Sequence, residues 1–599
     1  MKVFEANITH QVSDYLKVNL GKIMSFDLAN QKLFDDFGIK YFFENNEEFL
    51  SLKEAIIEIQ IITEEPNRAE YGDFQTNEDL ANKVALYLIS KNISPKIIVE
   101  PTCGKGNFII ASLQNFKNIE NILGVEIYKP YVWETKFNII NFYLQNIDNQ
   151  IVKKVIPEIL ISHCSVFDFD FKKIEQQYPT DEILIIGNPP WVTNAKLGSL
   201  DSKNLPRKTN FKNHSGLDAM TGKGNFDIAE FITLEMIKTF QKMDGHLLLL
   251  VKNSVTKNII FDQKANKYHI SSIEKHCIDS KKEFNVSVEA SLFYCKLNTH
   301  PQLYCKEFDF YNNQNYYQKF GWIEEKYVSN IDTYHRSKEI DGICPFVWRQ
   351  GLKHDCSMIM ELEKIEGESV NEYYVNGLNE KIKLEDGLVY GILKSSDLKN
   401  TVINQTRKFT IVTQKRVGQD TQYIKFDYPQ TYQYLVEHQS NFAARKSSIY
   451  NNKPSFSIFG IGEYSFKPYK VAISGLYKTF HFTLILPQNN KPVMLDDTCY
   501  LIGFERIEFA VYALILLNSE KNVQFLQSIT FSDAKRTFTK DVLMRIDLLE
   551  LAKNMTKKDL QIQLDKLNEM YNFNLSLNAW AMFLEEMAPI FFGQIAMFT

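Results

Sequence analysis

Two consecutive prolines, Pro189 and Pro190, follow an apolar run over 183–186 after only Gly187 and Asn188, and fix the point at which a strand must end. Proline has no backbone N–H to donate to a sheet, so the chain must turn there. A short, wholly apolar run is typical of a buried parallel strand, and open α/β sheets bind their ligands at the carboxyl ends of such strands. The Gly-Asn-Pro-Pro-Trp sequence over 187–191 therefore predicts a ligand site at this turn.

The turn offers groups that suit one kind of ligand. The Asn188 side-chain carbonyl and the Pro189 backbone carbonyl are acceptors, and Trp191 has a flat apolar face. A planar ring that carries an exocyclic NH2 group would give one N–H to each acceptor and would stack on the indole. An ordinary strand-to-loop turn closed by an aromatic side chain is the other interpretation, and these residues alone leave it open.

The first of three earlier strand candidates runs over 97–99 and leads through Glu100 into a Gly-Lys-Gly turn over 104–106. Glycines let a ligand come close to the backbone, and Glu100 could pair with an ammonium group. The turn is not GxGxxG and lacks a phosphate-cradling lysine motif, which disfavours a dinucleotide or a nucleoside triphosphate.

Upstream, Thr76 is a plausible N-cap for a helix that ends near Ser90. Such a helix start could hold a carboxylate, and a plain capped helix is the alternative.

The next two strand candidates end in the same way. The run over 122–127 contains Glu126, whose carboxylate suits the two hydroxyls of a ribose. The run over 156–161 leads to Ser165 and Asp168, either of which could face an adenine amino group. Four polar strand ends in register are improbable by chance. They predict one ligand site along a single edge of a sheet.

Length and composition limit the number of domains and the class of protein. A length of 599 residues predicts two to four domains, and 44% hydrophobic with 24% charged residues is ordinary for a soluble globular protein. The sequence shows no secretory signal pattern and no apolar run near the ~20 residues that span a bilayer, so no membrane partner is expected. The eight scattered cysteines include no CxxC pair and indicate neither a disulfide framework nor a metal site. A reducing cytoplasm is the expected location.

Taken together, the motifs resemble the S-adenosylmethionine-dependent amino-methyltransferases of DNA. Their order is that of the TaqI-type adenine-N6 enzymes of the gamma class: cofactor motifs, then the Asn-Pro-Pro-aromatic motif, then a target-recognition domain. The match covers roughly 72–297. It implies an α/β fold, with a Rossmann-like methyltransferase domain built on a mixed, mostly parallel seven-stranded sheet and a C-terminal α+β target-recognition domain. The implied domains are a helical extension over 1–70, a catalytic domain over 71–340 and a recognition domain with C-terminal helices over 341–599.

The resemblance also implies a role for each matching residue. Glu100 and the glycine turn would hold the amino end of S-adenosylmethionine, Glu126 its ribose, and Asp168 rather than Ser165 its adenine. The implied cofactor-binding residues are Thr76, Glu100, Pro101, Cys103, Gly104, Gly106, Glu126, Ser165, Asp168 and Asn188. The implied catalytic residues are Asn188, Pro189, Pro190 and Trp191. Trp191 and Phe284 would stack on the target base, Phe284 from a segment that resembles a late hairpin of the family.

Charge is unevenly distributed along the chain. The net charge is −5, yet the window 401–500 holds 12 Lys and Arg against 6 Asp and Glu. A locally basic segment is compatible with a phosphate-binding face. Cations mixed with aromatic and hydroxyl side chains suit phosphate positioning and base-edge reading, and the candidate DNA-binding residues are Lys394, Lys415, Arg416, Arg445, Lys446, Lys467 and Lys470.

These residues and the resemblance imply double-stranded DNA as the partner of a monomer or dimer that modifies adenine N6 within a restriction-modification system. A separate cognate restriction endonuclease is a second candidate partner. Cytosine-N4 methylation remains open because it uses the same amino-group chemistry. Three further alternatives also remain open: RNA methylation, protein glutamine methylation and a non-catalytic specificity subunit. A combined restriction-modification enzyme would need a nuclease site, and the best candidate is Asp309 with Glu324 and Lys326.

Overall fold

The computed structural model describes residues 8–58, 74–146, 156–193, 227–312, 316–365, 373–531 and 536–588. The chain divides into two compact units, Met1–Tyr327 and Val328–Thr599. The predicted boundary near residue 340 therefore lies slightly too late. The predicted separate extension over 1–70 is also wrong, because that stretch belongs to the first unit.

The first unit alternates helices and strands along most of its length. Its helices are α1 His10–Leu20, α2 Phe26–Phe37, α3 Asn46–Glu58, α4 Glu78–Ser90, α5 Asn107–Asn115, α6 Lys129–Gln145, α7 Lys172–Gln177, α8 Ile228–Phe240, α9 Asn253–Asn266 and α10 Ser280–Phe284. Its strands are β1 Ile39–Lys40, β2 Ile97–Glu100, β3 Asn121–Glu126, β4 Glu158–His163, β5 Ile183–Gly187, β6 Gly245–Lys252, β7 Ser271–Ile278, β8 Ala290–Lys296, β9 Tyr304–Asp309, β10 Gln318–Ile323 and β11 Lys326–Val328.

These strands form one sheet in the order β1-β4-β3-β2-β5-β6-β8-β7-β9-β10-β11. Strands β1, β4, β3, β2, β5 and β6 pair in parallel, whereas β8 is antiparallel to both β6 and β7. The four predicted strands are thus neighbours, and their wholly apolar central residues are buried. The predicted number of seven strands is too low. Strand β1 extends one side of the sheet, and β9 to β11 extend the other.

A buried lysine joins the N-terminal segment to this sheet. Strand β1 lies next to β4, and the ammonium group of Lys136 on α6 donates to the backbone carbonyls of Tyr41 and Phe42 just after it. Burial lowers the pKa of Lys136 to about 8. The ammonium group also lies over the rings of Phe42 and Trp133. Strand β1 and Phe42 are therefore part of the core of the first unit rather than of an appendage.

The second unit is built on two further sheets and a set of helices. The sheets have the orders β12-β22-β19-β20-β17 and β15-β14-β13-β18-β16-β21. The strands are β12 Arg349–Gln350, β13 Glu361–Lys364, β14 Tyr373–Asn376, β15 Lys381–Lys383, β16 Val389–Leu393, β17 Val402–Ile403, β18 Lys408–Ile411, β19 Tyr469–Ser474, β20 Thr483–Ile485, β21 Met494–Leu495 and β22 Cys499–Phe504. The helices are α11 Ile331–Ser337, α12 Ser357–Met360, α13 Tyr423–Asp427, α14 Pro429–Glu437, α15 Gln439–Ala443, α16 Glu463–Phe466, α17 Ile507–Leu517, α18 Glu520–Ile529, α19 Lys540–Leu543, α20 Leu548–Asn554, α21 Lys557–Tyr571 and α22 Trp580–Met587.

Helix α17 is the most apolar helix of this unit, and nine of its residues are buried. It contacts β19, β20 and β22 on one side and helices α20 and α21 on another, so the C-terminal helices close over it. No helix within the described ranges combines the length and the apolar character needed to cross a bilayer.

Candidate active site

A cavity lies at the carboxyl ends of β2, β3 and β5, where the sequence predicts a ligand site. Eight of the predicted residues line it: Thr76, Glu100, Pro101, Cys103, Gly104, Glu126, Asn188 and Pro190. They come from the start of α4, the β2–α5 turn, the end of β3 and the β5 turn. Parallel pairing brings these ends together because the strands start in register, with Ile97 opposite both Asn121 and Ile183.

Glu100 is the most unusual group of the cavity. It is 2% exposed, and its Oε2 has no hydrogen-bond partner among the described residues. The backbone N–H of Ile109, in the first turn of α5, faces the carboxyl group. Burial, together with the negative charge of Glu126, nevertheless raises the pKa of Glu100 well above its usual value. A buried carboxyl group with an open oxygen is a strong candidate for binding a cation or a hydrogen-bond donor.

The β2–α5 turn brings backbone close to this carboxyl group. Gly104 and Gly106 both have left-handed backbone conformations, with φ of +53° and +80°. A Cβ atom on Gly106 would lie 2.7 Å from the Thr135 side chain, and one on Gly104 would lie 2.6 Å from that of Gln75. The conformation favours glycine at both positions, and the space beside Thr135 also favours it at Gly106. Gly106 itself packs behind the turn and does not line the cavity.

Glu126, at the end of the neighbouring strand β3, binds the backbone of this turn. Its carboxylate accepts hydrogen bonds from the backbone N–H groups of Gly104, at 2.9 Å, and Tyr128, at 2.7 Å. Cys103 lies between the two acids, is buried, and donates its backbone N–H to the Val125 carbonyl. Burial and the charges of Glu100 and Glu126 raise the pKa of the Cys103 thiol well above its usual value.

The third strand end differs from the prediction. The cavity is lined there by Cys164, Val166 and Phe167, and neither Ser165 nor Asp168 is among its lining residues. The chain turns immediately after β4, with the Phe167 N–H donating to Ser165 Oγ and the Asp168 N–H donating to the Ser165 carbonyl. The assignment of Asp168 or Ser165 as the polar contact to an adenine is therefore not supported by the geometry.

Asn188 lies at the end of β5 on the cavity wall. Its Nδ2 donates to the Phe74 carbonyl at 2.6 Å and to Thr76 Oγ1 at 3.3 Å. Its Oδ1 is buried and has no partner among the described residues. Thr76 lines the cavity, but the predicted N-cap role is wrong, since Asn77 caps α4 by accepting from the Leu80 N–H.

Trp191 is held in an aromatic cluster. Its ring lies 5.3 Å from that of Phe74 and 5.2 Å from that of Phe284, and its Nε1 donates to the Leu250 carbonyl at 3.3 Å. The side chain is only 6% exposed. Phe284 ends the short helix α10 rather than lying on a hairpin strand. The structure thus brings Trp191 and Phe284 together, although the indole is packed rather than open.

Several cavity residues were not predicted from the sequence. Apolar and aromatic members are Phe74, Phe108, Val125, Ile127, Tyr128, Tyr131, Cys164, Val166, Phe167, Ile228 and Ile232; polar members are Gln75, Thr102 and Asn107. Ile228 and Ile232 come from the first turns of α8, and the residues before it, 221–226, lie outside the described part of the chain. The sequence signal for Tyr128 was its position directly after the strand that carries Glu126.

The nuclease candidate is excluded by strand geometry. In the β9–β10 pair, Gln318 lies opposite Glu307 and Gly321 opposite Tyr304. Asp309 is thus beyond one end of the pair, and Glu324 is beyond the other. Strands rise about 3.3 Å per residue, so these two acids are separated by roughly 25 Å and cannot bind one metal ion.

The predicted DNA-binding residues of the second unit fall into two groups. Lys415, Arg416 and Lys446 are exposed, and Lys467 is half-buried with its ammonium group 3.8 Å from Glu505. Lys394, in contrast, forms an ion pair with the buried Glu361 at 2.6 Å.

Arg445 is half-buried and bound to protein carbonyls, and Lys470 is buried. Arg445 donates to the carbonyls of Ser457 and Phe442, and its guanidinium lies 3.6 Å from the centre of the Tyr450 ring. Lys470 is 1% exposed on β19, a strand paired on both sides, and donates to the Lys467 carbonyl. The prediction that Lys470 contacts DNA is therefore wrong.

The fold and the cavity define an α/β protein with a cavity at the carboxyl ends of its central parallel strands. The chain is 40% identical over 491 residues to the type II methyltransferase M.NspV of Nostoc sp. (strain ATCC 29411 / PCC 7524), covering 82% of this chain and 98% of that protein. It therefore belongs to the type II methyltransferases.

Two other comparisons are more distant. The type II methyltransferase M.BanIII of Aneurinibacillus aneurinilyticus is 29% identical over 180 residues, 28% of this chain and 30% of that protein. The solved structure of the type IIL restriction-modification enzyme MmeI in complex with DNA has a TM-score of 0.49 at 13% identity, covering 91% of this chain and 84% of that one. No protein-family profile matches the sequence.

Replacement of Lys470 by methionine should stabilise the protein below neutral pH. Burial lowers the pKa of Lys470 from 10.5 to about 7. The unfolded chain therefore binds more protons than the folded one between pH 7 and 10.5, and wild-type stability rises with pH across that window. Urea unfolding at pH 6 and pH 9 should show a smaller pH dependence for Lys470→Met than for the wild type. A variant that is less stable than the wild type at pH 6 would contradict this.

Proposed function

We propose that the protein transfers a methyl group from S-adenosylmethionine to adenine N6 of a base flipped out of duplex DNA, in a TaqI-type arrangement of motifs. In this proposal it is the sequence-specific modification enzyme of a restriction-modification system. The observation that carries it is Asn188 Oδ1, a buried acceptor without a partner among the described residues, on the wall of the acid-lined cavity. An exocyclic amino group is a donor of matching chemistry.

The cavity residues fit the proposed methyl donor. The open oxygen of Glu100 suits the ammonium group of the methionine part, and the charge of that group would favour the ionised carboxylate. Glu126 suits the ribose hydroxyls, and the aromatic and aliphatic side chains of Tyr128, Val166 and Phe167 suit an adenine ring. When bound, S-adenosylmethionine supplies a methyl group activated by a positive sulfonium. Nothing in this arrangement requires a covalent intermediate on the protein.

Adenine N6 is a weak nucleophile because its lone pair is delocalised into the ring. Acceptance of both N–H bonds, by Asn188 Oδ1 and the Pro189 carbonyl, would favour a pyramidal nitrogen with its lone pair aimed at the methyl group. The same two dipoles would stabilise the positive charge that develops on that nitrogen. Holding the two reactants in line would supply much of the remaining acceleration.

Base flipping needs compensation for lost stacking and pairing. It costs a few kcal/mol, and each base stacked on an aromatic side chain recovers about 1–3 kcal/mol. We assign the stacking role to Trp191 and Phe284, which requires the indole, packed here against Phe74 and Phe284, to turn its face toward the cavity when a base enters.

Transfer of tritiated methyl groups from S-adenosylmethionine to duplex DNA tests the proposal directly. Label in N6-methyladenine after nucleoside digestion supports it. Label in N4-methylcytosine would change the target base of the proposal from adenine to cytosine, since the amino-group chemistry is shared. An absence of label in DNA, with transfer to RNA or to a protein glutamine, would refute the proposal.

Replacement of Asn188 by alanine should abolish methyl transfer while cofactor binding largely survives. The variant removes an acceptor for the target amino group but leaves Glu100 and Glu126 in place. Rates measured with tritiated S-adenosylmethionine should fall at least 1000-fold, whereas calorimetric affinity for sinefungin should stay within about threefold. Asn554→Ala, at an exposed asparagine on α20, is the matched control and should change neither. Equal loss of activity and affinity would contradict the role of Asn188.

Replacement of Glu100 by glutamine should raise the stability of the protein and lower its affinity for the cofactor analogue sinefungin. The raised pKa of Glu100 means that the folded state disfavours the carboxylate, so wild-type stability falls as pH rises above the ordinary value of 4.5. Glutamine stays neutral, so the variant should unfold at a higher temperature than the wild type at pH 8. Sinefungin affinity should fall about 10- to 100-fold, since a charge-assisted hydrogen bond is lost. Unchanged affinity would remove Glu100 from the proposed cofactor site.

Simultaneous replacement of Lys415 and Arg416 by alanine should weaken DNA binding and its dependence on salt. Both side chains are exposed, and each phosphate contact contributes about 0.9 to the slope of log K against log salt concentration. Fluorescence anisotropy with a labelled duplex should show a slope that is smaller by one to two. Lys470→Met removes one cation from the interior and should leave the slope unchanged. An unchanged slope in the double variant would exclude both residues as phosphate contacts.

A further inference from the structure

The two sides of the Asn188 amide have different environments. The Nδ2 group donates two hydrogen bonds within the protein, to the Phe74 carbonyl at 2.6 Å and to Thr76 Oγ1 at 3.3 Å. No described residue donates to Oδ1, which is buried. The side chain therefore turns its donors toward the 74–76 segment and leaves its acceptor without a donor from the described residues.

The Phe74 carbonyl determines which way the amide faces. A backbone carbonyl can only accept, so rotation of the amide by 180° would bring Oδ1 against another acceptor and leave the Phe74 carbonyl without its donor. The Thr76 hydroxyl can donate or accept, so it does not choose the orientation alone. It supplies the second acceptor once the carbonyl has fixed the first N–H.

The Thr76 hydroxyl is itself held in place. Thr76 is 5% exposed, and its carbonyl accepts from Asn107 Nδ2 at 2.6 Å at the start of α5. The next residue, Asn77, caps α4 through the Leu80 N–H at 2.8 Å. Two helix starts thus fix the short segment on which the Asn188 amide rests.

We propose that Thr76 is a positioning residue, which together with the Phe74 carbonyl orients the Asn188 amide so that Oδ1 accepts from the target amino group. The inference rests on the proposed function and changes one part of it: the hydroxyl of Thr76 acts through Asn188, not by holding the methionine part of the cofactor. The 74–76 segment then links the cofactor side of the cavity to the target-base side.

This role predicts an effect on the chemical step. Loss of the second N–H acceptor leaves the amide held by one bond, so Oδ1 is correctly aimed for a smaller fraction of the time. A hydrogen bond of about 0.5–1.5 kcal/mol corresponds to a decrease in kcat of roughly 3- to 10-fold. Cofactor affinity should not change, because no cofactor contact is lost.

Three variants of the full chain test the proposal. Thr76→Val keeps the shape but removes the hydroxyl, whereas Thr76→Ser keeps the hydroxyl. Thr256→Val is the matched control, since Thr256 is fully buried on α9 and its hydroxyl has no partner among the described residues. For each, kcat and KM are measured with tritiated S-adenosylmethionine and duplex DNA, and the Kd for sinefungin is measured by calorimetry.

The expected result is a 3- to 10-fold lower kcat for Thr76→Val, a sinefungin Kd within twofold of the wild type, and recovery of kcat to within about twofold in Thr76→Ser. The Thr256→Val control should retain wild-type kcat. A lowered sinefungin affinity with unchanged kcat would overturn the proposal and return Thr76 to the cofactor. Equal kcat in Thr76→Val and wild type would also overturn it. Failure of the wild type itself to label DNA would refute the proposed function instead, so the two failures are distinguishable.

Discussion

Parallel pairing in register is the constraint on which the site depends. Strands β4, β3, β2 and β5 are neighbours, and their first paired residues align, with Asn121 opposite both Glu158 and Ile97. Side chains that are 88 positions apart in the chain, Glu100 and Asn188, therefore reach the same cavity. A change of one residue in the length of any of these strands would move a functional side chain away from that edge or to the other face of the sheet.

The parts of the site that the sequence predicts are those set by local pattern. An apolar run of four residues followed by two prolines can hardly form anything except a buried strand with an abrupt end, and β5 ends at Gly187. Glu100 and Glu126 follow from the same logic, because an acid at the end of an apolar run remains at the carboxyl edge wherever the strand is placed.

The parts that the sequence does not predict are set by tertiary contacts. Lys415 and Lys470 occur in similar basic, aromatic-rich segments, but only the pairing of β19 on both sides reveals that Lys470 is buried. Phe74 has no distinguishing pattern, and its importance arises from a backbone carbonyl and from a ring contact with Trp191. Likewise, Val166 and Phe167 replace the expected polar residues because the turn after β4 has a shape that its sequence does not specify.

The position of Cys103 has a consequence for side reactions. A sulfonium methyl donor is an electrophile, and a cysteine thiolate is among the strongest nucleophiles that a protein contains. Cys103 lines the proposed donor cavity, yet burial and the two neighbouring acids raise its pKa and keep the sulfur protonated at neutral pH. If S-adenosylmethionine is the donor, as proposed, the acidic side chains that would suit its cation would also disfavour a thiolate beside its reactive methyl group.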